Sequence, residues 1–292
     1  MRSEIQAVYE KCLKEQKAST ERLSFMKSVQ SGNISIVMKL LQSGANIAEM
    51  NDTGQTLLHI ATLNKNLEMI QVLLNAGVDV DVRDDNNMTA LYYAAVTGNE
   101  AIFQTLIRHS TDVSILERNK NGSTLLHDIS STGYEGIVRL IVDRPVKLNA
   151  DVDTLDNGQR TALYLATTNG HSAVVARLLA AGANRFGKSE SSSGETALRA
   201  AIKRGHEAVV DVLLAAGCKP TSSDLLVAIR GGYGTIVEKL VAAGADVNAR
   251  ALYRWTALQV AANESHGAIV EKLLVAGCNI NARASWLPYK QL

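Results

Sequence analysis

Between His206 and Gly217 the chain reads HEAVVDVLLAAG, with apolar residues at Val209, Val210, Leu213 and Leu214. This i, i+1, i+4, i+5 stripe marks one face of a helix about three turns long. The closing glycine suits the left-handed position just past a helix C-terminus. A second phrase recurs ahead of such stripes: GQTLLHIA at 54–61 returns as GSTLLHDI at 122–129, then as RTALYLA, ETALRAA and WTALQVA. The threonines of the phrase, Thr56, Thr89, Thr124, Thr161, Thr196 and Thr256, are spaced by 33, 35, 37, 35 and 60, the last step being two units with one threonine missing. The glycines that end the stripes, Gly44, Gly77, Gly182, Gly217, Gly244 and Gly277, give a second register, with Ser110 and Pro145 in the two vacant places. One helix pair cannot bury both of its flanks, whereas stacked copies make a continuous core. The recurring phrase is thus a building block and not a duplicated active site.

A unit near 33 residues carrying T-x-L-H-x-A resembles the ankyrin repeat, and the resemblance spans residues 23 to 283. The fullest unit, Asn51 to Arg83, agrees with the family pattern at Gly54, Thr56, Leu58, His59, Ala61, Leu73, Leu74, Gly77 and Val80. It implies an all-α solenoid of stacked helix pairs, each unit a short β-turn finger, a short inner helix and a longer outer helix. The units fall near 23–50, 51–83, 84–118, 119–154, 155–188, 189–219, 220–250 and 251–283, the first without a finger. Residues 1–22 form a separate N-terminal element: Ser3 and Gln6 suit a capping box, and Ile5, Val8, Cys12 and Leu13 make a helical stripe expected to cap the stack.

Three departures from the pattern stand out. Ala201 to Ala228 is a step of 27, against 33 from Ala228 to Ala261. The missing residues are the finger, so CKPTSSDLLVAI is expected to pass through Lys219 and Pro220 to Ser/Asp caps and straight into the next inner helix, leaving a notch. The stretches Arg144–Arg160 and Arg185–Glu195 are over length and expected to form lengthened loops. The last outer helix keeps Ile269, Val270, Leu273 and Leu274 apolar, where a terminal repeat usually turns polar. Residues 284–292 are therefore a tail in which Trp286, Leu287 and Tyr289 fold over the open end, or the start of a further repeat in a longer chain.

Composition sets bounds on function. Of 292 residues 46% are hydrophobic and only 4% aromatic, and the formal charge is +1, so no whole-molecule field draws nucleic acid or an anionic surface. Glu4 and Glu10 interrupt any secretory leader, and no charge-free apolar run is long enough to span a bilayer. A cytoplasmic or nuclear location is expected. Cys12, Cys218 and Cys278 are too scattered for a disulfide framework or a zinc site. Cys218 and Cys278 occupy equivalent places two repeats apart, roughly 20 Å if helices pack at their usual spacing. Of six histidines, His59 and His127 hold the fourth place of the threonine phrase, and His171, His206 and His266 begin outer helices. The resemblance makes all five structural, and His109 is a helix-end residue. Nothing calls for a cofactor or a metal, and no catalytic motif appears.

The resemblance implies that partners meet the fingertips and the outward faces of the inner helices. Carried over to this chain, these are Thr53, Gln55, Leu63 and Asn64; Asn86, Met88, Val96 and Thr97; Asn121, Ser123, Ser131 and Thr132; Arg160, Thr168 and Asn169; Glu195, Lys203 and Arg204; Arg230; and Tyr253, Trp255, Asn263 and Glu264. Residues 49–85 hold seven acids against Lys65 and Arg83, whereas Arg199–Arg254 holds eight bases and five acids. Arg160, Lys203, Arg204, Arg230, Arg250 and Arg254, with Tyr253 and Trp255, are expected to receive an acidic peptide or anionic ligand. The expected function is a non-catalytic scaffold or adaptor for another protein. The alternatives are a small-molecule site or enzyme pocket at 219–255, and the recognition segment of a larger protein that packs a partner on its C-terminal end. Sparse aromatic residues along the basic strip argue against nucleic acid.

Overall fold

The computed structural model describes residues 25–111, 115–143, 152–186, 195–248, 250 and 255–282. The chain divides into two compact units, Met1–Asn119 and Lys120–Leu292. The expected N-terminal helix, the tail at 284–292 and, within the long loops, residues 144–151 and 187–194 lie outside the described residues. The expected helix pairs account for what is described. In the first unit, helical residues 25–30 precede α1 (Ile34–Gln42), followed by α2 (Leu57–Leu63), α3 (Leu67–Asn75), α4 (Ala90–Val96) and α5 (Glu100–Ile107). The second unit holds α6 (Leu125–Thr132), α7 (Glu135–Val142), α8 (Ala162–Thr168), α9 (Ser172–Ala180), α10 (Ala197–Lys203), α11 (Glu207–Ala215), α12 (Ser222–Arg230), α13 (Gly234–Ala242), α14 (Ala257–Asn263) and α15 (Gly267–Val275).

From α2 onward each inner helix starts where a threonine can cap it. The hydroxyls of Thr56, Thr89, Thr161, Thr196 and Thr256 accept the amides of His59, Tyr92, Tyr164, Arg199 and Gln259, three residues on. Such a cap is worth about 1 kcal/mol. The outer helices end on glycines in the left-handed region, Gly77 at φ 82° and Gly217 at φ 84° among them, as the stripe pattern required.

Inner helices pack on inner helices, α2 on α4 in the first unit and α6 through α14 in succession in the second, while the outer helices line up behind them. Ala61, Ala94, Ala166, Ala201, Ala228 and Ala261 are fully buried at the inner-helix contacts. Their small side chains let the short helices approach closely. The apolar stripe closes the core behind them, with Val209, Val210 and Leu213 at 0% exposure. Truncating Leu213 to alanine in such a site costs about 2–5 kcal/mol.

The missing finger is where the spacing put it, with one correction. Thr221, not Ser222 or Ser223, caps α12, and Asp224 closes a capping box on it. The two serines fall inside the first turn, so α12 runs nine residues where α8 and α10 run seven. The chain replaces a finger by extending the helix backwards.

Candidate partner-binding face

Three of the fingers are built on an acceptor five residues ahead of the threonine, at Asn51, Asp84 and Asp156. Asn51 Oδ1 accepts the amides of Thr53 (3.0 Å) and Gln55 (2.9 Å), and Asp84 Oδ1 accepts those of Asn86 (2.9 Å) and Met88 (3.0 Å). Asp156 Oδ1 accepts the Arg160 amide at 2.9 Å. Successive fingers also bond to one another. Within the first unit Asp85 N donates to Thr53 O at 3.1 Å, and within the second Asn157 N donates to Asn121 O at 3.0 Å.

In five of the six threonine phrases the fourth place ties its repeat to the next. His59 accepts the Thr56 amide on Nδ1 at 3.2 Å and so donates from Nε2 to Met88 O, 3.0 Å away in the following finger. His127 repeats this, with Thr124 N on Nδ1 and the carbonyls of Thr154 (2.9 Å) and Arg160 (3.1 Å) facing Nε2. Tyr164 reaches Glu195, Arg199 reaches Asp224 and Gln259 reaches the Ala282 carbonyl. Burial pushes both imidazoles below their ordinary pKa, against the opposing pull of their carbonyl partners and of Asp84 or Asp156. A second set of rings works behind them. His171 Nε2 bonds Ser131 O and His206 Nε2 bonds Thr168 O, each in the preceding repeat. His109 follows the end of α5, its amide on Leu106 O. Four of the five patterned histidines, His59, His127, His171 and His206, thus bond across repeats.

Several acids and bases of the expected face are already engaged. Asp84, at 6% exposure, accepts the Tyr93 hydroxyl at 2.6 Å. Burial pushes its carboxyl up, but Tyr93 and the amides of Met88 and Asn86 together hold it below the usual range. Burial raises the Tyr164 phenol, and its bond to Glu195 raises it further. Arg160 pairs with buried Asp156 through Nη2 at 2.7 Å and Nε at 2.9 Å. Lys203 Nζ lies 3.4 Å from Glu195, and Arg204 Nη1 donates to Thr168 O at 3.0 Å. Arg230 is exposed and its side chain makes no hydrogen bond or ion pair among the described residues. Trp255 is half-buried and Arg250 exposed, while Tyr253 and Arg254 lie outside the described residues. Of the expected basic residues, Arg160 and Lys203 thus face acids and Arg204 a carbonyl, while Arg230 and Arg250 are exposed.

Within the second unit the fingertips and the inner helices α6 and α8 enclose an open cavity of about 580 Å³. Asn121, Ser123, Ser131, Arg160 and Asn169, all carried over from the resemblance, line it together with Asp128, Asn157 and Gly158. A second cavity of about 530 Å³ lies at the N-termini of α13 and α15, beside Tyr233, His266 and Lys272. Thr53, Asn86 and their neighbours belong to the first unit. Their tips are exposed while Gln55 and Met88 are half-buried. Sequence reasoning missed the finger acceptors and the cross-repeat role of Tyr164, Arg199 and Gln259. The signal was present, as Asn or Asp recurs five residues before a threonine at Asn51, Asp84, Asn119 and Asp156.

Elsewhere the chemistry is that of packing. Cys218 is buried with its thiol on Arg185 O at 3.6 Å, and burial raises its pKa. On the outer helices, Arg177 pairs with Glu135, Lys239 with Glu207 and Asp211, and Lys272 with Glu238, each across one repeat step. No helix among the described residues is long and apolar enough to cross a membrane.

Stacked two-helix repeats with capped, mutually bonded fingers define an interaction-repeat architecture, and sequence comparison gives it a family. A model of ankyrin repeats in three copies matches residues 25–117, 62–156, 109–186 and 146–224, and a single ankyrin repeat matches 253–285. The chain belongs to the ankyrin repeat family. The interval between these matches, 225–252, contains most of the fingerless unit. Among solved structures the chain is similar to an ankyrin repeat domain, ABAYE2397, from Acinetobacter baumannii AYE, at 28% identity and TM-score 0.59, covering 66% of this chain and 97% of that one. It is also similar in fold to the ankyrin repeat protein EF0377, at 23% identity and TM-score 0.57, covering 65% of this chain and 95% of that one. No curated protein matches the chain.

Proposed function

We propose that the chain is a non-catalytic interaction scaffold or adaptor, and that a partner protein lies along the fingertips and inner helices of the second unit. The observation that carries this reading is the cavity of about 580 Å³ whose lining includes Asn121, Ser123, Ser131, Arg160 and Asn169. Apart from buried Ser123 these residues are exposed or half-buried, and the side chains are of both donor and acceptor type. The polar character of the lining fits recognition of a folded or extended protein segment, since non-obligate interfaces are about as polar as ordinary surface.

An acidic partner segment is the finer reading. Arg160 and Lys203 are offset by Asp156 and Glu195, so Arg204 and exposed Arg230 carry the attraction. Thr53, Gln55, Asn86 and Met88 form a corresponding candidate surface in the first unit.

Affinity capture with the full chain, followed by cross-link mapping, tests the proposal. Cross-links to α6, α8 and the fingers are expected, and Ser131→Trp should abolish capture with helical content intact. Cross-links confined to the outer helices, or undiminished capture by Ser131→Trp, overturn it. Capture lost in Ser131→Trp but retained in Arg204→Glu/Arg230→Glu rejects only the acidic segment.

A further inference from the structure

Three Asn-Gly pairs, Asn121-Gly122, Asn157-Gly158 and Asn169-Gly170, stand in the chain, and all three contribute to the wall of one cavity. Asn-Gly is the peptide linkage most open to intramolecular attack, because glycine lacks the Cβ that shields its nitrogen. The sequence does not rank the three. The fold does.

Asn169 and Gly170 are held at the end of α8. Asn169 Nδ2 donates to Leu165 O at 2.9 Å, and Gly170 N donates to Thr167 O at 3.2 Å. Cyclisation there needs an amide nitrogen already committed to a helix-terminal bond. Gly122 is buried and sits at φ 69°, with Asn157 directly over it: a Cβ placed on Gly122 would lie 2.3 Å from Asn157 Oδ1. The Asn121 carbonyl is itself bonded by Asn157 N. That linkage has little room to turn toward its own side chain.

Asn157-Gly158 differs in exposure and in its glycine amide. Both residues are exposed, and the Gly158 amide makes no hydrogen bond among the described residues. The Asn157 side chain, which lies over Gly122, makes one long hydrogen bond, Nδ2 to Lys120 O at 3.3 Å. We infer that Asn157 is a selective deamidation site, through which the partner-facing cavity gains negative charge as the protein ages.

The step balances. Hydroxide removes the Gly158 amide proton, the nitrogen attacks Asn157 Cγ, and the C–N bond to the side-chain nitrogen breaks, releasing ammonia and leaving a cyclic imide. Water then opens either imide carbonyl, giving aspartate or isoaspartate. No oxidant, metal or enzyme is needed. The Nδ2 donor to Lys120 O is lost, and a carboxylate appears beside Asp156 and Arg160. The finger contact loosens, and the guanidinium loses what attraction it still offers an acidic ligand. This last consequence rests on the proposed binding face, whereas the chemistry does not.

The test is incubation of the full chain at mildly alkaline and mildly acidic pH, with peptide mapping that separates asparagine, aspartate and isoaspartate. Conversion at Asn157 should run several-fold ahead of Asn121 and Asn169 in the folded protein and rise with pH, while the three should converge in urea. Gly158→Ala should slow Asn157 without changing helical content. Equal rates at the three sites in the native chain, or an inert Asn157, overturn the inference. Asn157→Asp then separates the two proposals. If capture is unaltered by it while Asn157 still converts, the consequence for binding fails and the modification site stands.

Discussion

The Arg199 guanidinium places Nε 2.9 Å from Asp224 Oδ1, joining the fourth residue of one threonine phrase to the capping carboxylate of the fingerless repeat. At His59, His127, Tyr164 and Gln259 that fourth residue reaches a backbone carbonyl or an acid of the following repeat. Here no finger exists to accept it. Asp224 takes its place while also accepting from Thr221 N at 2.8 Å and Thr221 Oγ1 at 2.6 Å. A deletion in one repeat is thus matched by the choice of side chain in its neighbour. Asp224→Ala should lower stability by about 2 kcal/mol, since it removes a capping box and a charge-assisted bond together. Arg199→Met should cost less, because Thr221 still satisfies the carboxylate. Urea denaturation of both single variants and the double variant measures the coupling, and strictly additive losses would contradict the pairing.

The buried imidazoles make stability fall in acid. His59 and His127 are held below their ordinary pKa chiefly by burial, so the unfolded chain binds protons more readily than the folded one. Their contribution is complete above the unfolded histidine value, about 6.5. It declines as pH falls below that, down through the lower folded values. A proton on Nδ1 would also deprive the Thr56 and Thr124 amides of their acceptor. Thermal melts between neutral and mildly acidic pH should show the decline, and His59→Gln with His127→Gln should flatten it. An unchanged slope in that double variant would assign the effect to other groups.

Backbone strain identifies residues that glycine would improve. Gln159 adopts φ 57°, at the finger position where Gly54 and Gly122 adopt 71° and 69°. Gln159→Gly should stabilise by about 0.5–1 kcal/mol, since left-handed backbone costs an L-residue more than the added entropy of glycine in the unfolded chain. Gly133→Ala should do the reverse. At φ 86° its Cβ would come within 2.6 Å of the His171 ring, displacing the bond from that ring to Ser131 O. Denaturation midpoints of the two variants should move in opposite directions.

The inner helices also bury hydroxyls without hydrogen-bond partners, at Thr62, Ser130 and Thr167, each six residues past its capping threonine. Thr167→Val keeps the shape and removes the orphan polar atom, and should raise stability by about 1 kcal/mol. Destabilisation by this substitution would mean that the hydroxyl is satisfied in solution.

How much could be read before the structure follows from which forces are local. The helix pairs, their threonine caps and the left-handed glycines depend on residues within a turn or two of one another, so period and residue type were enough. The missing finger was visible as a step of 27, although its cap was misplaced by one residue because Thr221, Ser222 and Ser223 are all competent caps. The candidate fingertip positions could be listed from the period, but the pairing of their charges could not. Arg160 and Lys203 looked available until Asp156 and Glu195 were found against them.

The sequence alone determined the repeating unit, the positions of its helices and the family, because each rests on a short periodic code of caps, apolar stripes and turn glycines. Tertiary structure decided which polar residues remain for a partner, which histidines are held neutral and which of three identical Asn-Gly pairs stands open. Those properties depend on what the neighbouring repeat places against a side chain some thirty residues away, and that relation becomes definite only when the repeats stack.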